Sequence, residues 1–343
     1  MLKVAIDAQL ARGSATGIGE YLTGLIPALR ACVDLEIVAL EAPALDPWRF
    51  DRRVAWDQVL LPLAALRARP DLLHCAAGTM PLFSPAPVVA TVHDVAWLRV
   101  QEHARPYARA YFGRFQLARY RRARRIAVDS AFSRDELLSL GGFDAERVGV
   151  VYPGVSSDVA ALEREPEAQA FALAVGTLER RKNLAVVLRA LALVPGLRLI
   201  AVGPATPYLD ECLRVARASG VSDRFDFRGY VSRAELLQLY RSAAVVVVPS
   251  RYEGFGYAAA QALCGSVPLL AARSSSLPEI VGGDAQLLEP DDHGAWAQAF
   301  RELLADRDAA ERHAKGQRAS AIARFSWSAS AAAIADMYRA ASV

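Results

Sequence analysis

Glu253 is the one carboxylate in a run, Ser250-Arg-Tyr-Glu-Gly-Phe-Gly-Tyr-Ala-Ala-Ala-Gln-Ala-Leu-Cys-Gly-Ser-Val-Pro268, whose residue types suit the holding of an anion. Just upstream, Ala243-Ala-Val-Val-Val-Val248 is a short β-branched run of the kind buried in a parallel sheet, and Pro249 stops it. Gly254 and Gly256 let the backbone turn sharply and approach a ligand. The helix expected from about Tyr257 then presents unpaired N–H groups and the positive end of its dipole near Phe255–Tyr257. A diphosphate fits that chemistry.

Arg181 and Lys182 place two cations after another strand-like run, Phe171–Val175, where a parallel sheet binds its ligands. Charge-assisted contacts from such a pair strengthen as negative charge builds on a leaving phosphate. The plainer reading is a solvated basic turn. Gly17 and Gly19 stand between the first strand, Leu2–Ile6, and a helix from Glu20 to about Cys32; they make either a simple turn or one wall of a nucleotide cleft. His93 and Asp94 end the apolar strand Val88–Val92. The imidazole there either faces a ligand or is structural, like that of His74 at another strand end, and Asp94 either orients it or caps the next turn. The one DxD sequence, Asp306-Arg-Asp308, lies in a charged helical stretch and reads as exposed surface, so no metal-ligating residues are assigned and Mg²⁺ or Mn²⁺ is not indicated. The scattered histidines and cysteines match neither a zinc site nor a Ser-His-Asp triad.

Positioning these groups takes strands that alternate with helices. Leu35–Leu40, Leu72–His74, Val88–Val92, Arg125–Val128 and Gly149–Val151 continue the first series, and Ser156–Gln169, polar and acidic, reads as a linker. Phe171–Val175, Leu197–Val202, Arg224–Arg228, Ala243–Val248, Val267–Ala271 and Ala285–Leu288 form a second series, with helices between them. Such βα alternation means parallel sheets. The 343 residues suit two domains, and 53% hydrophobic content is ample for two cores. Forty basic against thirty-seven acidic residues, a net charge of +3, gives no reason to expect nucleic acid as a partner. Cys32, Cys75, Cys212 and Cys264 form no Cys-x-x-Cys pair and read as reduced structural thiols. No leader-like segment or spanning apolar run is seen, so a cytoplasmic location is expected. Arg105–Arg125 carries eight arginines and no acid among five aromatic rings. It is either an amphipathic helix for an anionic membrane surface or a helix whose rings pack on the first domain.

In order along the chain, Gly17-Ile-Gly19, His93-Asp94, Ser130-Ala-Phe-Ser-Arg134, Val151-Tyr-Pro-Gly-Val155, Val175-Gly-Thr-Leu-Glu-Arg-Arg-Lys-Asn183, the run at Glu253 and Ser275-Ser-Leu-Pro-Glu-Ile280 resemble the motifs of the retaining, nucleotide-sugar-dependent glycosyltransferases of family 4, the glycosyl transferases group 1. The resemblance covers almost the whole chain. It implies an α/β GT-B fold: two Rossmann-like domains, an interdomain cleft and a C-terminal helix crossing back to the first domain. The expected divisions are an acceptor domain over 1–155, the linker over 156–169, a nucleotide-sugar domain over 170–325 and a helix over 326–343 that packs on the first domain.

The activity implied is metal-independent transfer of a hexosyl group from a nucleotide-diphosphate sugar to a saccharide or lipid-linked acceptor, with retention, in polysaccharide or glycolipid biosynthesis. No cofactor beyond the donor is implied. In the family's pattern His93 and Glu253 act at the donor sugar, while Gly17, Gly19, Arg181, Lys182, Phe255, Gly256, Tyr257 and Gln261 hold the donor. Tyr230 and Val231 would border the base, and Asp94 would support the acceptor side. Trp56-Asp-Gln-Val-Leu-Leu-Pro62 looks like members acting on mannose or rhamnose donors. Three positions depart from the pattern. Gln261 replaces a glutamate that grips the ribose, and Thr177 and Glu20 stand where arginine is frequent. Exchanging a charge-assisted hydrogen bond for a neutral one costs on the order of 1 kcal/mol, up to about tenfold in donor affinity. The departures motivate an alternative, a catalytically impaired subunit that partners another transferase.

Overall fold

The computed structural model describes residues 1–12, 17–46, 49–100, 106–283 and 285–342. They form two compact units, 1–154 with 326–343, and 155–325.

In the first unit, β1 (Leu2–Asp7), β2 (Leu35–Leu40), β3 (Leu72–Cys75), β4 (Val88–Val92), β5 (Arg125–Val128) and β6 (Val148–Val150) make one parallel sheet in the order β2-β1-β3-β4-β5-β6. β3 and β4 are buried along their whole length, as apolar runs covered on both faces must be. The chain order reverses between β1 and β3, which opens a crevice at their carboxyl ends.

The second unit repeats the plan. β7 (Phe171–Val175), β8 (Arg198–Val202), β9 (Phe225–Gly229), β10 (Val245–Val248), β11 (Leu269–Ala272) and β12 (Gln286–Leu288) lie in the order β12-β11-β10-β7-β8-β9, all parallel. The reversal falls between β7 and β10. Arg181 and Lys182 follow the first of these strands, and the Glu253 run follows the second.

The helix Trp327–Ser342 belongs to the first unit. Tyr338 OH meets His74 Nδ1 at 2.7 Å, and Ser330 Oγ donates to Tyr152 O at 2.6 Å. The Trp327 indole lies in a slot made by two glycines: a Cβ on Gly24 would come within 2.1 Å of it, and one on Gly154 within 2.5 Å. His74 is therefore a core histidine. Burial, then the nearby His93, pushes it down to about 3, so it stays neutral between Tyr338 and Thr91.

Several sequence expectations need correction. Gly17-Ile-Gly19 forms the first turn of the helix Gly17–Arg30 and not a loop, since φ < 0 suits any residue there; residues 13–16 of the expected loop, and Arg105 of the arginine run, lie outside the described residues. Residues 156–169 are not a free linker. Val159 is fully buried, Glu165 N and Glu167 N donate to Arg241 O and Ser242 O, and Arg164 pairs with Glu311, so one apolar and one basic anchor outweigh a polar composition. A helical stretch over 50–68 adds to the expected elements, and the charged helical stretch expected around Asp306–Asp308 runs over Arg307–Arg324. Asp306, from the DxD sequence, is exposed and caps the second of these by accepting from Ala309 N. Among the described residues no helix is long and apolar enough to cross a membrane.

Candidate functional site

Three charged side chains meet at the reversal point of the second sheet. Glu253 is buried, and its Oε1 accepts from Lys182 Nζ at 2.5 Å and from Ser250 Oγ at 2.7 Å. Its Oε2 lies 3.4 Å from Arg181 NH1, while Arg181 also donates to Glu179 Oε2 at 2.7 Å and to Tyr252 O at 3.0 Å. Burial pushes the Glu253 carboxyl up, but Lys182 and Arg181 outweigh it and hold the group below the ordinary carboxylate value. The two cations stay reachable, with side chains 25% and 20% exposed. A hollow beside them is lined by Gly176, Thr177, Leu184, Tyr208, Ser250 and Glu253.

The loop that carries Glu253 is braced from the later motif at Ser275. Ser275 Oγ accepts from Glu253 N at 2.9 Å, and Ser276 Oγ donates to Glu253 O and Phe255 O at 3.0 and 2.9 Å. Gly256 then opens the helix Tyr257–Cys264 with φ +97°, and a Cβ there would stand 2.8 Å from Leu277. Only glycine meets both demands. The Phe255 ring packs edge-on against Tyr257 and Phe325. Gln261 is buried in the same helix, and its Oε1 accepts from Tyr240 OH at 2.8 Å. Tyr230, 52% exposed, and the half-buried Val231 follow β9, two strands along the sheet from β7.

In the first unit His93 follows β4. Its Nδ1 lies 2.7 Å from Asp129 Oδ2, and its Nε2 lies 3.1 Å from Ala76 O. Ala76 O can only accept, so its contact suits a hydrogen on Nε2, and the Asp129 carboxylate suits one on Nδ1. Burial works against charge on His93, but Asp129 outweighs it and raises the pKa above the ordinary value. Asp94 does not orient the ring. Its Oδ1 accepts from Ala96 N at 2.9 Å and caps the next turn. Gly17 and Gly19 lie in the same unit at the helix start, the first exposed and the second buried.

Sequence reasoning missed Asp129 and gave no role to Ser250, Glu179, Ser275 and Ser276, which lie in the motifs it singled out. Asp129 had a signal: β4 and β5 are paired neighbours with Val92 opposite Val128, so the residues that follow them stand side by side. A second polar network ties the helical stretch 50–68 to β1. Arg53 NH2 reaches Asp7 Oδ2 at 3.1 Å and Asp57 Oδ1 at 3.0 Å, Trp56 Nε1 donates to Asp7 Oδ1 at 2.9 Å, and Tyr111 OH donates to Asp57 Oδ2 at 2.8 Å. Among the described residues no three His, Cys, Asp or Glu side chains are grouped to hold a metal ion.

Two six-stranded parallel sheets, each with an order reversal and the second with a charged cluster at it, define a two-domain Rossmann-like protein of the GT-B type, and solved structures share that fold. A sucrose-phosphate synthase from Thermosynechococcus elongatus aligns over 99% of this chain and 98% of its own, with a TM-score of 0.79 at 20% identity. Anabaena Alr3699/HepE, solved with UDP-glucose, aligns over 99% and 100% with a TM-score of 0.74 at 18% identity. A profile for Glycosyltransferase Family 4 matches residues 18–159, and one for Glycosyl transferases group 1 matches residues 160–320. The chain belongs to this family of GT-B glycosyltransferases. The D-inositol 3-phosphate glycosyltransferase of Mycolicibacterium smegmatis is 35% identical over 231 residues, 63% of this chain and 52% of the relative. That of Mycobacteroides abscessus is 32% identical over 273 residues, 74% of this chain and 60% of the relative. The chain thus spans about half the length of the curated relatives it matches.

Proposed function

We propose that this chain transfers a hexosyl group from a nucleotide-diphosphate sugar to a saccharide or lipid-linked acceptor, with retention and without a metal ion. The observation that carries the reading is the Arg181–Lys182–Glu253 cluster at the reversal point of the second sheet, beside the helix start at Gly256. In this account Lys182 and Arg181 turn from Glu253 to the diphosphate, and the N–H groups at the helix start supply the rest of its partners. Stabilisation grows as the glycosidic bond opens, because the leaving diphosphate gains charge. A diphosphate oxygen takes the acceptor proton on the same face, which leaves the anomeric configuration unchanged. Glu253 then offers its carboxylate to donor hydroxyls, and Tyr230 and Val231 border the base. In the same account His93 keeps Nδ1 on Asp129 Oδ2 and turns Nε2 from Ala76 O to a substrate oxygen.

The test is ¹H NMR of the purified chain with UDP-, GDP-, dTDP- and ADP-sugars, with and without EDTA. Released hexose with the donor's anomeric configuration, unaffected by EDTA, is expected; inverted hexose or dependence on Mg²⁺ contradicts the reading. A second reading, an impaired subunit that binds a partner transferase, draws on Gln261, which is buried and bonded to Tyr240 at the ribose-gripping position. It is favoured if no donor turns over and Gln261→Glu restores turnover. Action on a mannose or rhamnose donor, a role in polysaccharide or glycolipid biosynthesis, and a cytoplasmic location against the inner membrane face belong to the same proposal.

A further inference from the structure

The first unit exposes large apolar side chains that its core does not use. Val59, Leu63 and Leu66, at helical spacing within 56–68, are 53%, 42% and 48% exposed. Leu82 and Phe83, between β3 and β4, are 63% and 62% exposed. Gln58 holds these two groups beside each other, because its Nε2 donates to Met80 O at 3.3 Å and its Oε1 accepts from Leu82 N at 2.8 Å. A braced turn that presents Leu and Phe together is a contact surface in search of a partner.

Its surroundings are positive. Arg119 is buried beneath the turn and donates to Pro81 O at 3.0 Å and Leu82 O at 2.6 Å. Burial, then the neighbouring charge of Arg122, lowers its pKa below the ordinary value. Arg67 and Arg69 follow Leu66, and Arg114 and Arg122 are exposed on the arginine run. Residues 58–70, 80–92 and 106–128 hold nine arginines and no Asp or Glu. The rings of that run are not the contact face. Tyr111 and Phe112 pack on Phe50, Phe112 stacks on Trp97, and Tyr111 bonds Asp57.

We propose that the Leu82–Phe83 turn and the Val59–Leu63–Leu66 face dock together on an anionic bilayer, the apolar side chains entering the interface while the arginines meet lipid phosphates. An apolar turn held by Arg119, in segments that carry nine arginines and no acid, suits a headgroup layer of negative charge above hydrocarbon, whereas a protein partner for so basic a face would have to supply the acids. The inference deepens the proposed lipid-linked acceptor but is read without donor or acceptor.

The test is sedimentation of the whole chain with vesicles of pure phosphatidylcholine and of equal parts phosphatidylcholine and phosphatidylglycerol. The wild type is expected to bind the mixed vesicles in preference. The double variant Leu82→Ser, Phe83→Ser should lose about tenfold or more in partitioning. Arg114→Glu with Arg122→Glu should lose roughly fivefold or more for each charge, with the loss erased by salt. All four positions are exposed, so an unchanged Tm is expected and is measured alongside. Equal partitioning of wild type and the apolar double variant, or no preference for the anionic vesicles, overturns the proposal. So does a dimer in light scattering that the same double variant dissociates, since a second copy would then cover the face. Nucleotide binding retained in these variants separates this surface from the donor site, and its absence in the wild type would count against the proposed function alone.

Discussion

Charge on Glu253 persists in a buried loop because Lys182 and Arg181 stand against it. Lys182→Ala leaves the carboxylate with Arg181 at 3.4 Å and one serine hydroxyl, so stability should fall by about 1–3 kcal/mol, measured by urea unfolding. The pH dependence follows from the depressed pKa. The contribution of Glu253 is present above its unfolded value of about 4.3 and is lost as pH falls through the lower folded value; in Lys182→Ala that loss should begin at higher pH. His93 behaves oppositely. Its raised pKa gives stability that is full below about 6.5 and is lost as pH rises through the folded value. Asp129→Asn keeps a hydrogen-bonding side chain but removes the carboxylate, so the His93 midpoint followed by ¹⁵N NMR should drop below that of the wild type. An unchanged midpoint would show that Asp129 does not hold the proton.

At the scale of elements, most strands were legible because β-branched and aliphatic runs covered on both faces leave a strong pattern; β10 is four valines, all buried. The Glu253 turn was legible because glycine at φ +97° and the helix behind it are local features. What was not legible depended on contacts distant in sequence. The braces from Ser275 and Ser276 and the Asp129 partner of His93 appear only once strands lie side by side. The stretch 156–169 misled because its composition is polar while Val159 and Arg164 anchor it. The helix Trp327–Ser342 shows how such a contact can be weighed. Tyr338→Phe removes the hydroxyl that meets His74 Nδ1, leaving a buried ring nitrogen without that partner. It should cost about 1–3 kcal/mol in urea unfolding, and a value near zero would mean that packing alone holds the helix.

Across the whole molecule the two units share one design, six parallel strands with an order reversal, yet they carry different chemistry at their strand ends. The second unit gathers two cations and a carboxylate beside a helix start, whereas the first pairs His93 with Asp129 beyond β4 and β5, past its own reversal between β1 and β3. That division suits a nucleotide-diphosphate donor held by the second unit. Calorimetric titration of the chain and of Lys182→Ala with UDP, GDP, dTDP and ADP, without metal, tests the claim most directly. One nucleotide should bind the wild type in preference, and Lys182→Ala should weaken it at least about tenfold, the loss of a single charge-assisted contact. Absence of binding to all four at millimolar concentration, or equal binding by the variant, would contradict a donor site at Lys182.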